Sequence, residues 1–183
     1  DAEAGQYWAQ ISMRLIERLE LSGTLHEAGV FESLGMIHAA RSEFTLAIES
    51  HRAALAIREA LLGPDHPDVA TSHINLGRAL AGKGEHVSAR EHFQRALVIK
   101  EATLGADHPD FATATNNIGV SLMVEGQYAD SLAAFERALT LREAAFGPDH
   151  PQVAQTLGNI GFVANALGQT AEAEQALERA LEL

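Results

Sequence analysis

Three asparagines stand 42 residues apart: Asn75, Asn117 and Asn159. An amide carries both a donor and an acceptor. Such a ladder can hold the backbone of an extended peptide without reading its sequence, or it can bond one repeated unit to the next. The two uses are not exclusive. The nine histidines invite a metal reading, but their spacing argues against one. His66, His108 and His150 keep the same step of 42, so they lie one unit apart and do not converge on an ion. Each sits in an Asp-His-Pro triplet that reads as the start of a helix. His86 and His92 are six apart and fall on different faces of a helix. No His-Glu-x-x-His or clustered ligand spacing occurs. Neither a metal nor a cofactor is expected.

Catalytic signatures are equally sparse. The chain has no cysteine, no Gly-x-Ser-x-Gly elbow and no phosphate-binding loop. Gly82-Lys83-Gly84 is a turn between helices. Glu85, Glu91, Glu101, Glu136 and Glu143 follow solvated helical positions rather than a cleft. The sequence reads as a non-enzyme.

The elements that carry these residues repeat. Gly63-Pro64-Asp65-His66-Pro67 recurs as Gly105-Ala106-Asp107-His108-Pro109 and as Gly147-Pro148-Asp149-His150-Pro151. Gly35, Gly77, Gly119 and Gly161 keep the same step, as do Ala54, Ala96, Ala138 and Ala180. A fixed period of this length means stacked copies of one supersecondary unit. Within 63–104, Pro67 suits a first helical position and Asp68 the first turn. Val69, His73, Leu76 and Leu80 make one apolar helical face, and Gly82 and Gly84 end it. Val87, Ala89, Phe93, Ala96, Leu97 and Leu104 make the face of a second, longer helix. No strand signal competes. The expected architecture is all-α, one domain over 1–183: an N-terminal helix over 1–22, then repeats at 25–62, 63–104, 105–146 and 147–183. The first repeat lacks the Gly-Pro-Asp-His-Pro phrase, and the last is truncated.

A net charge of −12 argues against nucleic acid and against an anionic membrane surface. No apolar run approaches the roughly 20 residues that span a bilayer. No leader is visible, although a chain starting at Asp1 is compatible with a removed one. Absence of cysteine is compatible with the cytoplasm. Two lysines against eleven arginines, with abundant Ala and Gly, suggest a GC-rich bacterial source. The repeat register runs off both ends, as in an excerpt of a longer protein.

These landmarks resemble the tetratricopeptide repeat, which places a small residue eighth in its first helix and alanines at positions 20 and 27. With Ala70 as position one, Gly77, Ala89 and Ala96 fall there. The 42-residue phrase is similar to the kinesin-light-chain type. Ser42 and Ser131 depart from the pattern. The resemblance implies a right-handed superhelical solenoid of antiparallel helix pairs whose first helices line a concave groove. It places Asn75, Arg78, Asn116, Asn117, Val120, Met123, Asn159 and Phe162 on that groove. Arg78 would meet an acidic ligand group, and Val120, Met123 and Phe162 an apolar one; core packing is the alternative for Phe162. The implied partner is a protein or peptide segment, in a regulatory part of a bacterial signalling protein of the kinase or nucleotide-switch ATPase kind. Chaperone-tail recognition is not expected, because Ile74, Asn116 and Gly158 stand where a lysine is wanted. Self-association through terminal helices, with Leu177 and Leu181 on an apolar edge, is the second expectation.

Overall fold

The computed structural model describes residues 22–104 and 111–183, with isolated earlier positions (Tyr7, Gln10, Ile11, Arg14 and 16–18). The expected helix over 1–22 and the phrase at Gly105 to Pro109 therefore lie largely outside the described residues. Among the described residues there are eight sequential helices after position 24 and no strand. They are α1 (Leu25–Ala40), α2 (Phe44–Leu62), α3 (Pro67–Lys83), α4 (His86–Leu104), α5 (Phe111–Val124), α6 (Tyr128–Phe146), α7 (Pro151–Ala166) and α8 (Thr170–Leu181). The chain divides into two compact units, Asp1–Ile99 and Lys100–Leu183. In the first, α1 packs on α2 and α2 on α3; in the second, α5 packs on α6, α6 on α7 and α7 on α8. Short turns make consecutive helices antiparallel neighbours.

Helix starts follow the Asp-His-Pro phrase. Pro67 and Pro151 occupy the first turn, where a missing N–H is harmless. The caps are the histidines. His66 Nδ1 accepts the Asp68 amide at 3.1 Å, and His150 Nδ1 accepts the Gln152 amide at 3.2 Å. The side chain thus satisfies one of the N–H groups a helix start leaves orphaned. The turn inside each pair needs a left-handed residue. Gly84, Gly126 and Gly168 supply it with φ of 89°, 76° and 79°, whereas Ser42 is held there at φ 60°.

Each helix pair closes through one contact. A Cβ on Gly77 would lie 2.6 Å from the Phe93 ring, on Gly119 2.7 Å from the Phe135 ring, and on Gly161 2.5 Å from Leu177. Gly35 meets His51 in the same way. The residue sixteen positions on fills the hollow each glycine leaves. Phe93 and Phe135 are fully buried there. Around Phe135 the second unit's core gathers Val153, Leu157, Ile160 and Val163. Ser131, the departure from alanine, is buried but satisfied, donating to the Gly119 carbonyl at 2.8 Å.

Gly77→Ala forces Phe93 or a helix to move, and overpacking of this kind costs about 1–3 kcal/mol. Gly29, also helical, has nothing within 4 Å of an added Cβ. Gly29→Ala should instead stabilise by about 1 kcal/mol through helix propensity. Thermal unfolding of the two variants checks this: the midpoints should shift in opposite directions.

Candidate functional site

In the first unit a cavity of about 410 Å³ opens between α1, α2 and α3. Met36, Phe44 and Ala79 supply apolar walls, and His51, Asn75 and Arg78 supply polar ones. Arg78 is exposed and makes no ion pair or hydrogen bond among the described residues. Asn75 is engaged: its Nδ2 donates to Glu32 Oε1 at 2.6 Å. Glu32 also pairs with Arg58 of α2, which donates to Ser72 Oγ at 2.6 Å. Four side chains from three helices thus form a closed polar network beside the cavity. Asn75 has the stacking role in this unit, reaching back to the preceding repeat.

The same four positions recur two repeats on, as Asn116, Arg142, Asn159 and Thr156. Arg142 is 4% exposed and donates to the Gln152 carbonyl at 2.8 Å and to Thr156 Oγ1 at 2.6 Å. Its Nε has no partner, and burial lowers its pKa. Asn116, 5% exposed, has an unpartnered Oδ1. It was expected on an open groove; the structure buries it. The fifth position of the first helix turns toward the second helix, as Glu32 does toward Arg58. Asn117 and Asn159 are half-buried, and no hydrogen bond to either amide exists among the described residues. Phe162 is 58% exposed, so core packing does not account for it. Val120 and Met123 pack against the core around Phe135, so the structure gives them to packing rather than to an apolar site shared with Phe162. A smaller cavity, about 220 Å³, lies instead among Leu132, Leu157, Ile160 and Arg179.

Two features escaped the sequence reading. The basic residues Arg58, Lys100 and Arg142 keep the 42 step and could have signalled the polar network. The other is a histidine pair. His73 Nδ1 of α3 and His92 Nδ1 of α4 are 2.8 Å apart, with ring centroids 5.1 Å apart. One ring must donate and the other accept, so the bond needs at least one neutral imidazole. His73 Nε2 is buried, has no hydrogen-bond partner and lies 3.8 Å from Glu59 Oε1. No group of three or more potential metal ligands converges among the described residues. None of the described helices is long and apolar enough to cross a membrane.

The family model described as tetratricopeptide repeat matches residues 26–102 and 110–183. The chain belongs to the tetratricopeptide-repeat family. BtubC (BKLC) from P. vanneervenii is similar at 25% identity and TM-score 0.77, over 85% of this chain and 62% of BtubC. The chain therefore spans less than two thirds of that relative. The kinesin light chain of Podosopora anserina with nearly identical TPR-like repeats gives 21% identity and TM-score 0.75, over 99% of this chain and 91% of that one. The apo form of RapI gives 15% identity and TM-score 0.86, over 98% of this chain and 63% of that one. The last two likenesses concern the fold. No curated protein matches the sequence.

Three buried or half-buried imidazoles make the first tetratricopeptide unit acid-sensitive. Burial, then the His92 and Arg95 charges, lowers the His73 pKa to about 4. Burial, with Arg52 adding to it and Glu91 opposing, lowers that of His92. Burial also lowers that of His51, with Glu32 opposing and Arg78 and Arg58 adding to it. In the unfolded chain each titrates near 6.5. Below that pH the unfolded state binds more protons than the folded one. Stability is therefore complete above pH 6.5 and declines as pH falls toward 4. His73 alone contributes on the order of 3 kcal/mol over that window. Urea unfolding at pH 7.5 and pH 5 should show the loss. Replacing both partners, His73→Leu with His92→Leu, should reduce it; equal losses in both proteins would refute the assignment.

Proposed function

We propose that this chain is a non-catalytic scaffold that holds an extended peptide or protein segment against the first helices of its repeats. The observation that carries this reading is the cavity of the first unit. It combines apolar walls at Met36 and Phe44 with the exposed, unpaired guanidinium of Arg78. Apolar surface with a few convergent polar groups is the usual composition of a ligand site. Asn117 and Asn159, half-buried and with free amides among the described residues, are suited to bond a peptide backbone. Membership of the repeat family supports the same reading, since these arrays present binding surfaces along their stacked units. We place the scaffold in the cytoplasm, as a regulatory part of a larger bacterial signalling protein of the kinase or nucleotide-switch ATPase kind.

Selection of peptides from a displayed library against the intact chain tests this. Arg78→Glu should weaken the selected peptides at least tenfold, with helicity unchanged by circular dichroism. Affinity unaffected by both Arg78→Glu and the double substitution Asn117→Ala with Asn159→Ala would overturn the reading. Self-association is the second reading, favoured by exposed Leu177 and by Leu181, which is 88% exposed on α8. A sedimentation coefficient independent of concentration would remove it.

A further inference from the structure

The cavity of the second unit lies where the first unit has its histidine pair. Its floor is apolar, with Leu132 of α6 and Leu157 and Ile160 of α7. Two repeats earlier the position of Leu157 is held by His73, and that of Ala176, which lines the cavity from α8, is held by His92. There the His92 ring lies beside the His73 ring, with centroids 5.1 Å and Nδ1 atoms 2.8 Å apart. Ala176 has no ring to lay on Leu157, and a cavity of about 220 Å³ stands at that place. A drug-sized ligand site has roughly 300–1,000 Å³, so this one suits a single large side chain. The charge around it differs as well. The position of Arg52, whose charge acts on His92, is held by Glu136. Glu136 and Glu172, both exposed, line the cavity and make no ion pair among the described residues. Arg179 also lines it but is paired with Glu143 of α6.

We infer that a partner protein fills this cavity with an aromatic side chain flanked by Lys or Arg, at the place His92 fills from within in the first unit. The ring covers Leu157 and Ile160 and removes their apolar surface from water. The flanking cations meet Glu136 and Glu172 at the mouth. An aromatic side chain seated in a fitted pocket is the usual energetic anchor of a protein interface. An acidic segment is opposed by these two carboxylates and by the chain's net charge of −12. None of Arg78, Asn117 and Asn159, the first-helix residues proposed to hold a peptide, lines this cavity. It is formed mainly by the second helices α6 and α8, so it is a separate surface and does not rest on the peptide-binding reading.

Three peptides test this on the intact chain at constant ionic strength: Ac-Lys-Trp-Lys-NH2, Ac-Lys-Ala-Lys-NH2 and Ac-Glu-Trp-Glu-NH2. The readouts are the NMR methyl signals of Leu132, Leu157, Ile160 and Ala176, together with the thermal midpoint. Ac-Lys-Trp-Lys-NH2 should move these signals with an affinity at least tenfold above that of either other peptide. Ala176→Phe, which supplies the ring from within, should abolish the response without lowering the midpoint. Glu136→Gln with Glu172→Gln, at exposed positions, should keep the response to Trp and lose the preference for Lys over Glu. Arg78→Glu should leave all of these responses unchanged, so that this site and the first unit's cavity stand or fall separately. Equal responses to the Trp and Ala peptides, or to the Lys-flanked and Glu-flanked ones, overturn the inference. So do shifts confined to the first unit, and so does an undiminished response in Ala176→Phe. A lower midpoint in Ala176→Phe overturns it too, because the cavity would then have no room for a ring.

Discussion

Every helix pair among the described residues closes on the same contact, a glycine eight positions into the first helix facing a large side chain sixteen residues later. The glycines at 35, 77, 119 and 161 leave no room for a Cβ against His51, Phe93, Phe135 and Leu177. Because an interior is packed to near crystal density, so close an approach leaves the two helices little freedom to slide. It also decides which residues of the first helix turn inward and which are left for other work. Val69, Leu76 and Leu80 go to the core. At the fifth position Glu32 turns toward the second helix, while at the ninth Met36, Arg78 and Phe162 are exposed and Val120 is half-buried against the core. Binding chemistry is therefore confined to a few positions per repeat by a packing constraint that has nothing to do with a ligand.

Much of this was legible in one dimension. Proline and glycine act on the backbone locally, so helix bounds at Pro67, Lys83, Pro151 and Gly147 follow from residue type alone. The reading of His66 and His150 as features of helix starts held because a cap involves residues only two apart. What sequence did not show was pairing across helices. Arg58 to Glu32, Asn75 to Glu32 and His73 to His92 join residues 26, 43 and 19 positions apart. Such contacts depend on the rotation of one helix about its axis relative to another. Asn116 was misplaced for the same reason: the family resemblance put its position on the groove, but in the structure the side chain is buried.

The repeats are uniform in frame and unequal in charge. Glu32, Ile74, Asn116 and Gly158 occupy one position, while Arg58, Lys100 and Arg142 keep a cation at its counterpart. A stack that holds its backbone constant can thus vary polarity one unit at a time, because each unit's stability depends mainly on its neighbours. Similarity to BtubC and to the kinesin light chain of Podosopora anserina at 25% and 21% identity fits this.

The histidine at position 51 has one more consequence. In the second unit the corresponding residues are Phe135 and Leu177, which have no proton to gain, and the positions of His73 and His92 are taken by Thr115, Leu157, Ala134 and Ala176. The interior of one unit can therefore acquire charge while the interior of the other has no corresponding group to titrate. Proteins open in cooperative blocks of unequal stability rather than all at once. Mild acid then weakens the block that holds α1 to α3, and finds no counterpart of these imidazoles in the block that holds α6 to α8.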